Sequence, residues 1–216
     1  LGLSLDAAQM PRKSTLVTHR ILLISVLAIA LGALAAWAAQ LLMFMINVIT
    51  DLAFYGRVSD VIGPTAREGS FVLSPAGNQL GAWVILIPAI GGLLAGIMAR
   101  WGSRAIQGHG IPEAMEQILT NESNIPARMT WLKPVSSAFA IGTGGPFGAE
   151  GPIISTGGAL GSLLGQLLHV TANERKVLLA AGAAAGMAAV FGAPVASLVL
   201  AVELLLFELR PRSLIP

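Results

Sequence analysis

Gly142-Thr-Gly-Gly-Pro-Phe-Gly-Ala-Glu-Gly-Pro152 decides how this chain is read: one carboxylate, Glu150, stands among five glycines and two prolines at the head of an apolar run. Proline is favoured in a first helical turn, where its missing N–H would have had no intrahelical partner. Pro152 therefore predicts a helix over Gly151–Leu168 with Glu150 at its N-terminus. Free N–H groups and the positive end of the helix dipole make such a terminus an anion site. An ionised Glu150 fills that site as a tethered anion, and a protonated Glu150 yields it to a free one. The plainer alternative is a carboxylate that only caps its helix.

The surroundings of this motif are those of a membrane. Hydrophobic residues make up 55% of the 216, charged residues 11%, and glycine occurs 25 times; mean hydropathy is +0.76. This composition predicts an all-α, polytopic membrane protein, in which an acid inside a span is functional by default. His19 to Phe54 forms a first long span, long enough to tilt, and Leu80 to Trp101 a second, interrupted at Pro88. Both exceed the roughly 20 residues needed to cross hydrocarbon. Beyond Trp101 the apolar pieces shorten: Ile111–Leu119, Met129–Ile141, Gly151–Leu168, Glu174–Phe191 and Pro194–Phe207. Broken helices are tolerated in a membrane only where their ends face protein or a water-filled cavity. Their ends are therefore candidate ion sites.

Basic residues set the expected topology. Arg12, Lys13 and Arg20 flank the start of the first span, and Arg100 and Arg104 the end of the second, so both ends are expected to be cytoplasmic. Residues 1–18 then form a cytoplasmic N-terminal segment and residues 19–216 the membrane helices. The apolar run after Arg20 is too long for a signal peptide. Leu1 and the closing Arg-Pro-Arg-Ser-Leu-Ile-Pro216 read as truncation points. Gly157, Gly161 and Gly165, and likewise Gly182 and Gly186, recur every four residues, a stripe that packs helices closely and carries no chemistry.

Several functions are excluded. Thirteen basic against 11 acidic residues, a net charge of +2 and no interleaving of basic and aromatic residues leave no nucleic-acid footprint. No cofactor or metal is expected: cysteine is absent, and His19, His109 and His169 have no ligand spacing. Gly142–Gly151 lacks the lysine of a nucleotide loop, and Phe147 occupies a position where a dinucleotide fingerprint needs glycine. No intramembrane protease motif is present either, so an enzyme is not expected.

Gly108-His109-Gly110-Ile111-Pro112 repeats the logic of the first motif, with glycines and a proline opening a short helix. Two such N-termini meeting near the midplane would stabilise a partly dehydrated anion without a full positive charge that would hold it too tightly. His109 is either a ligand or titrating group, or a histidine bonded to backbone at a vestibule edge. Glu203, in the apolar Pro194–Phe207, is a buried acid that lies on a proton route or pairs with backbone or Arg210. Glu113 and Glu116 read as favourable first-turn charges.

Together, Gly108–Pro112, Gly148-Ala-Glu150-Gly-Pro152 and Phe191-Gly-Ala-Pro-Val-Ala-Ser-Leu-Val-Leu-Ala-Val-Glu203 resemble the chloride channel (CLC) family. The resemblance runs from about His19 to Pro216 and corresponds to the N-terminal half of a member. It implies one half of an inverted-repeat fold with broken and tilted helices, a homodimer, and an anion channel or anion/proton antiporter. By position it makes Glu150 the external gate. It places His109, Gly110, Ile111 and Pro112 with Gly148, Ala149, Glu150 and Gly151 on the anion pathway.

Three positions depart from the family pattern. His109 stands where a serine is common, Ala149 where a basic residue is frequent, and Glu203-Leu204 where antiporters have two acids. The family's later anion motif and central tyrosine belong to a second half, and the sole tyrosine here is Tyr55. The implied function is transport of chloride or a similar monovalent anion, with protons as a second substrate if it is an antiporter. The implied partners are lipid, the C-terminal half of the fold and a second subunit. Alternatives are a non-transporting half that assembles with or regulates a separate pore subunit, and a fluoride/proton antiporter. Short loops and the absence of a targeting segment point to a bacterial inner membrane.

Overall fold

The computed structural model describes residues 19–56, 80–108, 110–207 and 211–216. Residues 1–18, 57–79, His109 and residues 208–210, Arg210 among them, lie outside the described residues. Every regular element among the described residues is helical. In chain order these are α1 (His19–Tyr55), α2 (Leu86–Trp101), α3 (Ile111–Thr120), α4 (Met129–Gly142), α5 (Glu150–Leu167), α6 (Ala172–Phe191), α7 (Pro194–Ala201) and α8 (Pro211–Leu214). Helix bounds fall within about two residues of the sequence expectation, with two exceptions. The second span narrows into a 3₁₀ stretch over Gly81–Ile85 and is unbroken at Pro88. Pro88 sits in the first turn of α2, where it removes no helical hydrogen bond. The last piece leaves α-geometry at Val202–Leu206 in a wide turn closed by the Phe207 N–H on the Val202 carbonyl at 3.0 Å.

The 37 residues of α1 rise roughly 55 Å, against a hydrocarbon core of about 30 Å, so a tilt is required. One stripe of α1 is buried: Ile24, Ala28, Leu31, Ala35, Ala39, Leu42 and Ile46. These residues are spaced three or four apart, one face of a helix. Leu22, Val26, Ile29, Leu34 and Trp37 are exposed on other faces. A helix apolar all round with only one stripe packed suits lipid on its remaining faces. Among the described residues two helices, Arg20–Tyr55 and Gly81–Trp101, are long and apolar enough to cross a membrane.

Glycines let α5 and α6 approach to backbone contact. A methyl group on Gly157 would collide with the Gly182 carbonyl, one on Gly182 with the Gly157 carbonyl, and one on Gly161 with the Leu178 carbonyl. The four-residue stripe is thus a packing surface, as its spacing predicts.

Contacts sort the helix ends. Arg20 approaches Glu174 at 3.7 Å, joining the starts of α1 and α6. Arg128 donates to the Gly102 carbonyl at 3.4 Å, joining the start of α4 to the end of α2. Gly165, near the end of α5, lies against Arg175. One end of the bundle therefore collects Arg20, Arg128, Arg175 and Lys176. At the other end Thr50 donates to the Gly142 carbonyl at 3.0 Å, and Gly144 lies beside Phe54 and Pro88.

Candidate functional site

Helix α5 begins at Glu150, and its 18 residues put that start roughly 27 Å from the basic end. Ala149 and Ile153 pack with Ala39, Leu42 and Ile46 near the middle of α1. Glu150 accordingly begins a helix at mid-depth of the bundle, one residue earlier than Pro152 suggests.

Helix α3 is fastened to α5 at both of its ends. At its start, Gly110 has φ +108°, a conformation that favours glycine, and a methyl group there would collide with the Gly151 carbonyl. Beyond its end, the Ile125 N–H donates to Ser162 Oγ at 2.9 Å, Ser162 Oγ donates to the Ser123 carbonyl at 2.6 Å, and Gln166 Nε2 donates to the Ile125 carbonyl at 2.8 Å. Arg175 adds a bond to the Glu122 carbonyl at 3.4 Å. Gly151 opens α5 and Ser162 lies 11 residues on, a rise of about 16 Å; the ten residues of α3 rise about 15 Å. The two half-helices therefore run parallel, with their N-termini side by side. Each contributes about half a positive charge at that end.

The donors at this junction can be counted. The N–H groups of Glu150 and Gly151 in α5, and of Ile111 and Glu113 in α3, have no intrahelical acceptor, and Pro112 and Pro152 have no N–H. Gly110 departs from expectation: its N–H donates to Glu113 Oε2 at 2.6 Å, so the carboxylate three residues on has taken it. Glu113 is thus more than a favourable first-turn charge, since it closes the turn that opens α3.

The remaining predicted residues fall as follows. Glu150 is exposed and makes no hydrogen bond or ion pair in this arrangement, so its carboxylate is not seated on the helix-terminal N–H groups. Gly148 is exposed with open space beside it, Ala149 is buried, Gly151 is buried, Ile111 is half-buried and Pro112 is exposed. His109 lies outside the described residues. Glu203, expected to be buried, is exposed. The wide turn sends Leu205 and Leu206 into the core and leaves Glu203 on the open side, where Val195, Leu198 and Val199 of α7 are also exposed.

Sequence reasoning missed Lys133. Its side chain is 2% exposed, and Nζ donates to the Ile106 and Gly108 carbonyls at 2.8 Å each. Glu113 acts on it electrostatically. One buried cation on α4 thus holds two carbonyls of the segment before α3. The available signal was a lysine next to Pro134 inside an apolar helix with no acid within a turn.

Comparison with known proteins bears on this geometry. The sequence profile described as "Voltage gated chloride channel" matches residues 91–216. The chain belongs to the voltage-gated chloride channel family. Among CLC relatives, the H(+)/Cl(-) exchange transporter ClcA of Vibrio campbellii is 35% identical over 185 residues, covering 79% of this chain and 37% of the relative. Chloride channel protein CLC-f of Arabidopsis thaliana is 31% identical over 196 residues, covering 82% and 23%. A solved structure, a slow cyanobacterial Cl-/H+ antiporter, superposes with a TM-score of 0.59 at 24% identity, over 93% of this chain and 44% of that one. The chain has the CLC fold and spans less than half the length of these proteins.

Proposed function

We propose that this chain is the N-terminal half of a CLC protein that moves chloride or a similar monovalent anion across a membrane, with Glu150 as a protonatable gate. The observation that carries this reading is the junction of the parallel helices α3 and α5 at Gly110 and Gly151. Two dipole ends and at least four N–H groups without intrahelical acceptors face one place at mid-depth. Dipoles of this strength compensate a dehydrated anion and still release it. Glu150, at the first position of α5, has the reach of a tethered competitor: ionised, it takes the donors, and protonated, it leaves them.

The layout follows the same reading. Residues 1–18 are a cytoplasmic N-terminal segment, the later residues cross and re-enter the membrane, and the assembly is a homodimer in a bacterial inner membrane. The exposed apolar side of α7 is where the second half of the fold would pack. Protons are the second substrate if the protein exchanges.

The test is anion efflux from proteoliposomes holding the intact protein, measured across pH. Glu150→Gln and Glu150→Ala are expected to abolish the pH dependence, with efflux persisting in the alanine variant. Efflux unchanged by either substitution in both rate and pH response refutes the gate.

A further inference from the structure

The second span is mostly open to lipid, with 11% of its apolar length buried inside the bundle. Tryptophans stand at its two ends, Trp83 with 71% and Trp101 with 78% of its surface exposed. From Trp83 to Trp101 the chain rises roughly 27–30 Å, close to the thickness of the hydrocarbon core. Indole rings favour the boundary between hydrocarbon and water. Trp101 therefore marks headgroup depth at the basic end of the bundle.

Helix α4 begins at that depth. A methyl group on Gly102 would press on Leu132 Cδ2 at 2.9 Å, and Arg128 reaches the Gly102 carbonyl at 3.4 Å. The start of α4 thus lies against the end of α2. Four exposed side chains leave this junction: Arg100 and Trp101 from the last turn of α2, and Arg128 and Trp131 one turn apart at the start of α4. The charge here is unanswered. Arg100 makes no hydrogen bond or ion pair, Arg128 makes only its one long bond, and among the described residues neither has a carboxylate partner. Arg20 at the same end differs, because Glu174 approaches it at 3.7 Å. Each guanidinium carries five N–H donors in a planar fork, so nearly all the donors at the junction are unspent.

We propose that the junction of α2 and α4 is a binding site for an anionic phospholipid, whose headgroup phosphate is held by Arg100 and Arg128 between Trp101 and Trp131. The guanidinium fork matches the oxygens of a phosphate, and at headgroup depth beside a lipid-facing helix phosphate is the abundant anion. Two unpaired cations favour a lipid with net negative charge over a zwitterionic one, whose own ammonium they repel. A lipid seated there bridges α2 to the start of α4, the helix that carries Lys133.

The experiment is thermal unfolding of the intact protein in neutral detergent, titrated with phosphatidylglycerol, phosphatidylcholine or sodium phosphate. The melting temperature is expected to rise with phosphatidylglycerol at concentrations where the other two have no effect. Each basic side chain near an anionic surface strengthens binding about fivefold, so joint Arg100→Gln and Arg128→Gln substitution is expected to raise the half-saturating phosphatidylglycerol concentration about thirtyfold. Arg20→Gln is expected to leave that concentration unchanged, which separates a site from general positive charge. An undiminished response in the double variant, an equal loss in Arg20→Gln, or an equal response of the wild type to phosphatidylcholine overturns the proposal. A response to sodium phosphate matching that to phosphatidylglycerol overturns the lipid as occupant. If the double variant does not fold, Arg100→Gln alone, which breaks no bond, is expected to shift the midpoint about fivefold, and an unshifted midpoint overturns the proposal.

Discussion

Replacing Lys133 by methionine removes a charge and two hydrogen bonds while keeping an unbranched side chain one atom shorter. Lys133 is 2% exposed, and its two acceptors differ in their surroundings: Ile106 is buried and Gly108 is exposed. In Lys133→Met the Ile106 carbonyl is left buried without this donor, at about 1–3 kcal/mol, and the Gly108 carbonyl recovers water at about 0.5–1.5 kcal/mol. Relief from burying an ammonium offsets part of this, and the loss of Glu113's electrostatic partner adds to it. The balance is about 2 kcal/mol of destabilisation, or about 4–8 °C in melting temperature for a chain of this size. Lys133→Arg is expected to restore little, because a planar guanidinium fork does not reproduce the compact ammonium that Nζ places between the two carbonyls. Thermal unfolding in detergent, followed by intrinsic fluorescence, gives the first number. Anion efflux at a temperature where the variant remains folded gives the second, and it is expected to fall, because the segment leading into α3 loses the bonds that hold it. A Lys133→Met protein with wild-type melting temperature and wild-type efflux refutes the argument.

Gly110→Ala forces an alanine into φ +108° and onto the Gly151 carbonyl, so efflux should collapse; Gly148→Ala, with open space at the same motif, should leave it near wild type. Equal effects of the two would show that the close approach of α3 to α5 is unimportant. Gly161→Leu is expected to prevent folding, read as loss of a monodisperse elution peak, because its side chain meets the Leu178 backbone and not a movable side chain. Proton movement driven by an anion gradient is expected to be weak, since Leu204 follows Glu203; stoichiometric proton pumping with Leu204 in place would contradict this. Ser162→Ala should destabilise by about 1–3 kcal/mol, since it strips the Ile125 N–H and the Ser123 carbonyl of a fully buried partner; an unchanged melting temperature would count against the fastening of α3 to α5.

Much of this was legible in the residue order. Glycine and proline at Gly108–Pro112 and Gly148–Pro152 mark helix starts for reasons internal to the backbone, and both helices begin within a residue of where those motifs put them. The glycine stripe at Gly157, Gly161 and Gly182 announced a close crossing because only glycine permits it. Glu203 misled the reading for an equally physical reason. Apolar neighbours imply burial only when the helix continues regularly, and the wide turn at Val202–Leu206 rotates them away from the expected face. The partners of Lys133 and Ser162 were unreadable because they lie 25 to 39 residues away.

By itself, the sequence determined that this is a membrane protein of broken helices with an acid at the head of one of them, because hydropathy, helix length and proline chemistry are local properties of the chain. Only the tertiary structure decided that α3 and α5 run parallel, that their starts coincide at Gly110 and Gly151, and that Glu113 consumes a donor the sequence left free. Relative direction and register of two helices depend on contacts at both ends at once, here a glycine contact at one and the Ser162–Gln166 bonds at the other. No stretch of sequence contains both.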